Sequence, residues 1–161
     1  MKEKSNQAQA AALIRKELKK EFPQTKFRVT SSGFSGGDSV SIHWQNGATT
    51  KQVQDITNKY QYGHFDGMTD SYEYSNNRKD IPQTKYVMEQ RTITMDIVNQ
   101  AFEYIRHSWD CLKNKTVDDS SQEIFKQLGA WTAQSFLYRQ LSQIDLSNGL
   151  TKEMLDKVIF G

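Results

Sequence analysis

The sequence predicts an α+β fold, a small antiparallel sheet packed by helices, with a C-terminal helical subdomain. Three observations carry that reading. Two short stretches, Lys26–Thr30 and Ser39–Trp44, alternate apolar and polar residues around a glycine–serine loop, the mark of half-buried strands. A charged amphipathic stretch precedes them. After Thr94 the apolar spacing changes to threes and fours, the period of a helix face. The predicted division is 1–94 for the α+β core and 95–161 for the helical subdomain packed on it as one folding unit. A chain of 161 residues is long enough to bury about 70% of its unfolded surface.

The elements follow in order. Residues 6–21 read as a helix with Ala8, Ala11, Ala12, Ile14, Leu18 and Phe22 on its inner side. Arg15, Lys16, Lys19 and Lys20 then face water, and Pro23 ends it. In the first strand Phe27 and Val29 share a face; in the second, Val40, Ile42 and Trp44 share one. The connection Ser31–Asp38 reads as a flexible loop. Gly47 turns the chain into a helix over 50–60, capped by Thr49 or Thr50, with Val53, Ile56 and Tyr60 inward. YGHFDGMTD is turn-rich, Tyr72 and Tyr74 alternate, Ser75–Gln83 is an exposed loop, and residues 85–94 form a strand. A helix from Thr94 carries Ile97, Ala101, Tyr104, Ile105 and Trp109. A second, opened by Ser120 or Ser121, carries Phe125, Leu128, Trp131 and Phe136, with Gly129 as its weak point. Asn148–Gly149 reads as a turn, and Thr151 caps a last short helix.

Composition narrows the function classes. No apolar run reaches the roughly 20 residues of a membrane span. The N-terminal stretch has no apolar signal core. The single cysteine, Cys111, excludes an internal disulfide framework and fits a reducing compartment. The expectation is a cytoplasmic protein without a cofactor. Net charge is +2 overall, but residues 1–30 carry +5 and the remainder −3. Arg15, Lys16, Lys19, Lys20, Lys26 and Arg28 are therefore the candidate phosphate contacts for a nucleic-acid role; the competing reading is a solvated helix face.

Other candidate sites each have a structural counter-reading. The amides of Ser31–Asp38 suit an anion, but the loop leads into a strand, so no helix N-terminus completes a phosphate site. His64, Asp66 and Asp70 have the chemistry of a metal or acid–base site; their spacing instead suits a turn held by aspartates, and no metal is expected. His43 points away from Trp44, toward solvent or a partner. His107 and Cys111, four apart on a helix, suit a thiolate pair, against a buried cysteine acting as a small hydrophobe. Tyr72, Tyr74 and Tyr86 suit base stacking, against core tyrosines.

Several of these residues form a recognisable pattern. Phe22-Pro23 ends a basic helix, Lys26-Phe27 and Val29 open a strand, Gly36-Gly37-Asp38-Ser39 follows, Trp44 closes the next strand, and Phe65-Asp66-Gly67-Met68 stands two residues before Asp70. Across roughly residues 10–75 this resembles the large polyvalent protein-associated domains of phages, prophages and conjugative plasmids. The helical part after Thr94 has no placed counterpart. Such domains occur in large proteins that enter a new host with mobile DNA, beside antirestriction, nuclease or methyltransferase modules. The resemblance implies a role in countering host defence or handling DNA, and brings no catalytic residues with it.

The leading expectation is a non-enzymatic binding protein of a mobile element, with a host or phage protein as partner, in the manner of an antirestriction or anti-CRISPR inhibitor. The second is a nucleic-acid-binding accessory, and the third an enzyme using His64, Asp66 and Asp70 or the His107–Cys111 pair. The expected partner surface comprises Phe34, Ser35, Gly36, Gly37 and Asp38 with Phe65, Asp66 and Asp70, and Phe34 is its aromatic anchor.

Overall fold

The computed structural model describes residues 4–117 and 122–161. The chain forms two compact units, Met1–Thr92 and Ile93–Gly161. The class is α+β, as the sequence predicts.

In the first unit, helix α1 (Asn6–Glu21) leads into β1 (Arg28–Phe34) and β2 (Gly37–Gln45). Helix α2 (Thr50–Thr57) and a 3₁₀ turn (Asn58–Tyr60) follow, then the short strands β3 (His64–Asp66) and β4 (Ser71–Glu73), and finally β5 (Tyr86–Thr92). The sheet order is β1-β2-β5, and β3-β4 is a separate hairpin. β1 and β2 are antiparallel, but β5 joins β2 in parallel, with Val40 opposite Val87. The sheet is thus mixed rather than purely antiparallel. A parallel pair needs a long crossover, and the segment 46–85 supplies it.

Alternation places Val40, Ile42 and Trp44 on the inner face of β2, with Val29 beside them on β1. Ala10, Ala11, Ile14 and Leu18 of α1, Val53 of α2 and Tyr60 complete this core. α1 turns Ala10 inward and leaves Ala12 exposed, because the stripe through Ile14 and Leu18 continues backward to 10 and 11 rather than 12. Trp44 is 3% exposed, stands 5.5 Å from the ring of half-buried Phe27, and its Nε1 donates to Ala48 O at 2.8 Å. That bond spans a sharp turn in which Asn46 and Gly47 both have positive φ, 52° and 54°. A Cβ on Gly47 would fall 2.5 Å from Thr25 Oγ1, so glycine is required there on two counts.

The expected loop is shorter than read. Both strands run on through the serines and glycines, so that Phe34 pairs with Gly37 and only Ser35 and Gly36 turn the chain. Serine and glycine show no apolar alternation, so the pattern fades before the pairing does. Thr49 caps α2 in a reciprocal box with Gln52, one of the two candidates read from the sequence.

In the second unit, α3 (Met95–Ser108) buries Val98, Ala101, Phe102 and Ile105. α4 (Gln122–Gln127), α5 (Ala133–Leu141) and α6 (Lys152–Leu155) follow, and a π-helical turn spans Asp156–Phe160. Phe125, Phe136, Leu137 and Leu141 join the α3 residues in this core, with Trp109 6.1 Å from the rings of Phe125 and Phe136. The single helix expected over residues 122–141 is two. Gly129 adopts φ 71°, and Arg139 donates to the carbonyls of Leu128 and Gly129 at 2.5 and 2.9 Å. Leu128 and Trp131, expected on the inner face, are consequently exposed, Trp131 at 77%. The cap candidates Ser120 and Ser121 lie outside the described residues. Gly149 turns with φ 83° and Thr151 accepts from Met154 N, as the sequence suggests.

Two stability measurements probe the first core. Trp44→Ala should cost about 3–5 kcal/mol in denaturant unfolding, through lost burial and an unfilled cavity. Glu17 accepts from Tyr60 OH at 2.5 Å and Lys59 Nζ at 2.7 Å, tying α1 to the 3₁₀ turn. Burial pushes its carboxyl up, but the bonds from Lys59 and Tyr60 outweigh that and hold it below its ordinary 4.5. A lowered carboxyl stabilises the fold above its ordinary value, and the contribution is lost as pH falls through the lowered one. Glu17→Gln should therefore melt below wild type at neutral pH, with the gap closing as pH falls below 4.5.

A candidate binding surface at the hairpin ends

The end of the sheet carrying the Ser35–Gly36 turn is rich in aromatic rings. Phe34 stacks on Tyr86 at 6.3 Å and 18° between planes. Tyr86 meets Tyr72 edge-on at 5.7 Å, and Tyr72 meets Tyr62 and Tyr74 at 5.9 and 5.2 Å. Tyr62 and Tyr74 stack at 5.6 Å and 6°. Lys85 Nζ lies over the rings of Tyr72 and Tyr86, 5.0 and 5.5 Å from their centroids, and donates to Gly36 O at 2.9 Å. Phe34 is 51% exposed and Tyr74 65%, so these rings are presented to solvent rather than sunk in a core. The core reading of Tyr72, Tyr74 and Tyr86 is therefore corrected: Tyr74 is exposed and the other two half-buried. The inner face of the sheet is already filled by α1.

Local geometry explains why the rings hold their places. Asp38 Oδ1 accepts from Thr84 Oγ1 at 2.9 Å and Lys85 N at 2.8 Å, binding β2 to the segment that enters β5. Tyr72 OH donates to Lys85 O at 2.6 Å. Gln61 accepts from Val87 N at 2.6 Å and donates to Gly63 O at 2.7 Å. A Cβ on Gly63 would lie 2.0 Å from Glu73 O, so only glycine lets β4 pass this close. Burial, then the neighbouring tyrosines, pushes the Tyr72 phenol up to about 12. Burial, then Asp38, also raises Tyr62. Both phenols are neutral at physiological pH; Tyr72 donates to Lys85 O, and both rings pack against neighbouring tyrosines.

The β3–β4 hairpin carries the remaining predicted residues. Asp66 accepts from Met68 N at 2.9 Å and Thr69 Oγ1 at 3.0 Å, and these bonds, the Met68 amide first, hold its carboxyl below the usual range. Asp70 closes the turn with φ 51°. His64 Nε2 lies 3.4 Å from Glu73 Oε2 across the strands. Asp66 thus serves the turn, as the sequence suggests, and among the described residues no three His, Cys, Asp or Glu side chains are grouped to hold a metal. Phe65 and Met68 are exposed.

Other candidates are dispersed. α3 ends at Ser108, before Cys111, which lies in a 3₁₀ turn and is exposed; the buried-cysteine reading and the shared helix face are both corrected. Of the basic set, Arg15 Nη2 donates to Val29 O at 2.8 Å, while Lys16, Lys19 and Lys20 point outward from α1. Arg28 alternates with buried Val29 and so projects from the sheet face opposite α1. Sequence reasoning passed over Tyr62 and Lys85. The clustering of tyrosines at 60, 62, 72, 74 and 86 was the available signal.

The Asp38 clamp is testable apart from any binding role. Asp38→Ala should cost about 1–3 kcal/mol by orphaning two donors. Phe34→Ala should change stability by under about 1 kcal/mol, as exposed substitutions do. Denaturant unfolding of both variants measures the contrast.

No curated protein and no solved structure matches the chain. The family model described as Large polyvalent protein associated domain 29 matches residues 5–108. The match extends past the expected 10–75 to include β5 and α3. It spans well over half the sequence, and the chain belongs to the Large polyvalent protein associated domain 29 family.

Proposed function

We propose that this is a non-enzymatic binding protein that captures a host protein through the aromatic surface at the hairpin ends. The family associates the chain with phages and other mobile elements, and inhibition of a host defence complex is the form of capture that this setting favours. The carrying observation is the exposed, mutually braced ring cluster from Phe34 to Tyr74. Tyrosines with few rotamers give large amphipathic contact area at small entropic cost, and rings already fixed by neighbours lose less on binding. Phe34 and Tyr74 are the anchors; Phe65 and Met68 extend the apolar area, and the Asp66 turn and the His64–Glu73 pair form a polar rim.

The test is capture from nuclease-treated lysate of the element's host. Wild type should retain a defined host protein, and Phe34→Ala and Tyr74→Ala should each lose it while melting within a few degrees of wild type. Equal capture by both variants, or retention that disappears with nuclease, contradicts the proposal.

A further inference from the structure

We propose a second binding function, on a surface that meets the first at Phe34, Tyr86 and Lys85: the sheet face opposite α1 is a platform for single-stranded nucleic acid. The register defines this face. Arg28 pairs with His43, Thr30 with Ser41, and Ser32 with Ser39, while Tyr86 stands opposite Ser39 and Met88 opposite Ser41. Their neighbours of the other parity, Val29, Val40 and Ile42, are buried in the first core. The side chains named here therefore project from the other face. Arg28, Thr30, Ser32 and His43 are exposed there, and Met88 is 44% exposed.

The chemistry is graded along the strands. Exposed Phe34 and half-buried Tyr86 lie at one end, the exposed hydroxyls of Thr30 and Ser32 beside half-buried Ser41 fill the middle, and Arg28 with His43 closes the other end. β1 spans about 20 Å between Phe34 and Arg28 at the usual rise per residue. None of the β1, β2 and β5 residues on this face is acidic. The two carboxylates carried by β1, β2 and β5 belong to residues of the opposite parity and are engaged: Asp38 with Thr84 and Lys85, and Glu89 with Thr57 Oγ1 at 2.5 Å. Lys85 adds a cation beside Tyr86. Stacking rings, hydroxyl donors and a guanidinium, without opposing carboxylates, complement a chain of unpaired bases and phosphates. A protein interface would need more apolar area at its centre than serine and threonine provide. A duplex hides the base faces that Phe34 and Tyr86 would stack on.

Fluorescence anisotropy with a labelled oligothymidylate of about 12 nucleotides, a length within single-strand site sizes, tests this. Wild type should bind it at low salt and bind a duplex of equal length more weakly. Arg28→Ala should weaken binding about tenfold and reduce the slope of log affinity against log salt by about 0.7, one phosphate contact on a single strand. Tyr86→Phe should bind as wild type, whereas Tyr86→Leu, which keeps an apolar residue but removes the ring, should weaken binding. Tyr74→Ala should leave oligonucleotide affinity unchanged even if it abolishes host-protein capture, so the two proposals fail separately. The platform is overturned if wild type does not bind, or if duplex is preferred. It is also overturned if the Lys16→Glu, Lys19→Glu, Lys20→Glu triple variant abolishes binding while Arg28→Ala leaves affinity and salt slope intact.

Discussion

The alternation of β2 is the constraint on which the first unit depends. Val40, Ile42 and Trp44 must all lie against Ile14 and Leu18 of α1, and that single requirement fixes which side of every neighbouring strand is hidden. With a side-chain period of two, no partial register slip is available; a shift of one residue would expose Trp44 and bury His43. β1 follows antiparallel and β5 parallel from the same strand, so the outward placement of Arg28, Phe34, Tyr86 and Met88 is the consequence of packing on the other side.

What the packing leaves open is then made rigid by polar bonds between segments far apart in sequence. Asp38 reaches Thr84 and Lys85, Tyr72 reaches the Lys85 carbonyl, and Gln61 reaches Val87. These bonds hold the crossover chain against the hairpin end and assemble rings from three separate stretches into one cluster. The sequence offers Asp38 as a contact for a partner, but its carboxylate is engaged inside the protein. Its influence on binding therefore runs through the position of Lys85 and the rings beside it.

The parts of this arrangement legible in the sequence are those governed by local chemistry. α1 shows its apolar stripe and its proline stop, β2 its alternation, and Thr49 and Thr151 their capping positions. The Asp66 turn is visible because aspartate beside glycine has few other uses. The parts that were not legible depend on partners distant in the chain. β1 continues through Ser31, Ser32 and Gly33 only because β2 is there to pair with them. Gly129 breaks a helix that its neighbours favour because Arg139 binds the freed carbonyls. Tyr72 and Tyr86 look like core residues until α1 is seen to occupy the inner face already. The polarity of the outer face is equally silent in sequence, since the absence of acids from it appears only once the register is known.

Hydroxyl-radical footprinting of the intact protein, read residue by residue by mass spectrometry, tests the two-faced sheet most directly. Met88, Phe34 and Tyr74 should be oxidised rapidly, at 44%, 51% and 65% exposure, while Trp44 and Tyr60, at 3% and 1%, should be protected despite the intrinsic reactivity of their rings. Rapid oxidation of Trp44 with protection of Met88 would mean that the strands pair one residue out of this register. The presented face would then be the core, contradicting the account.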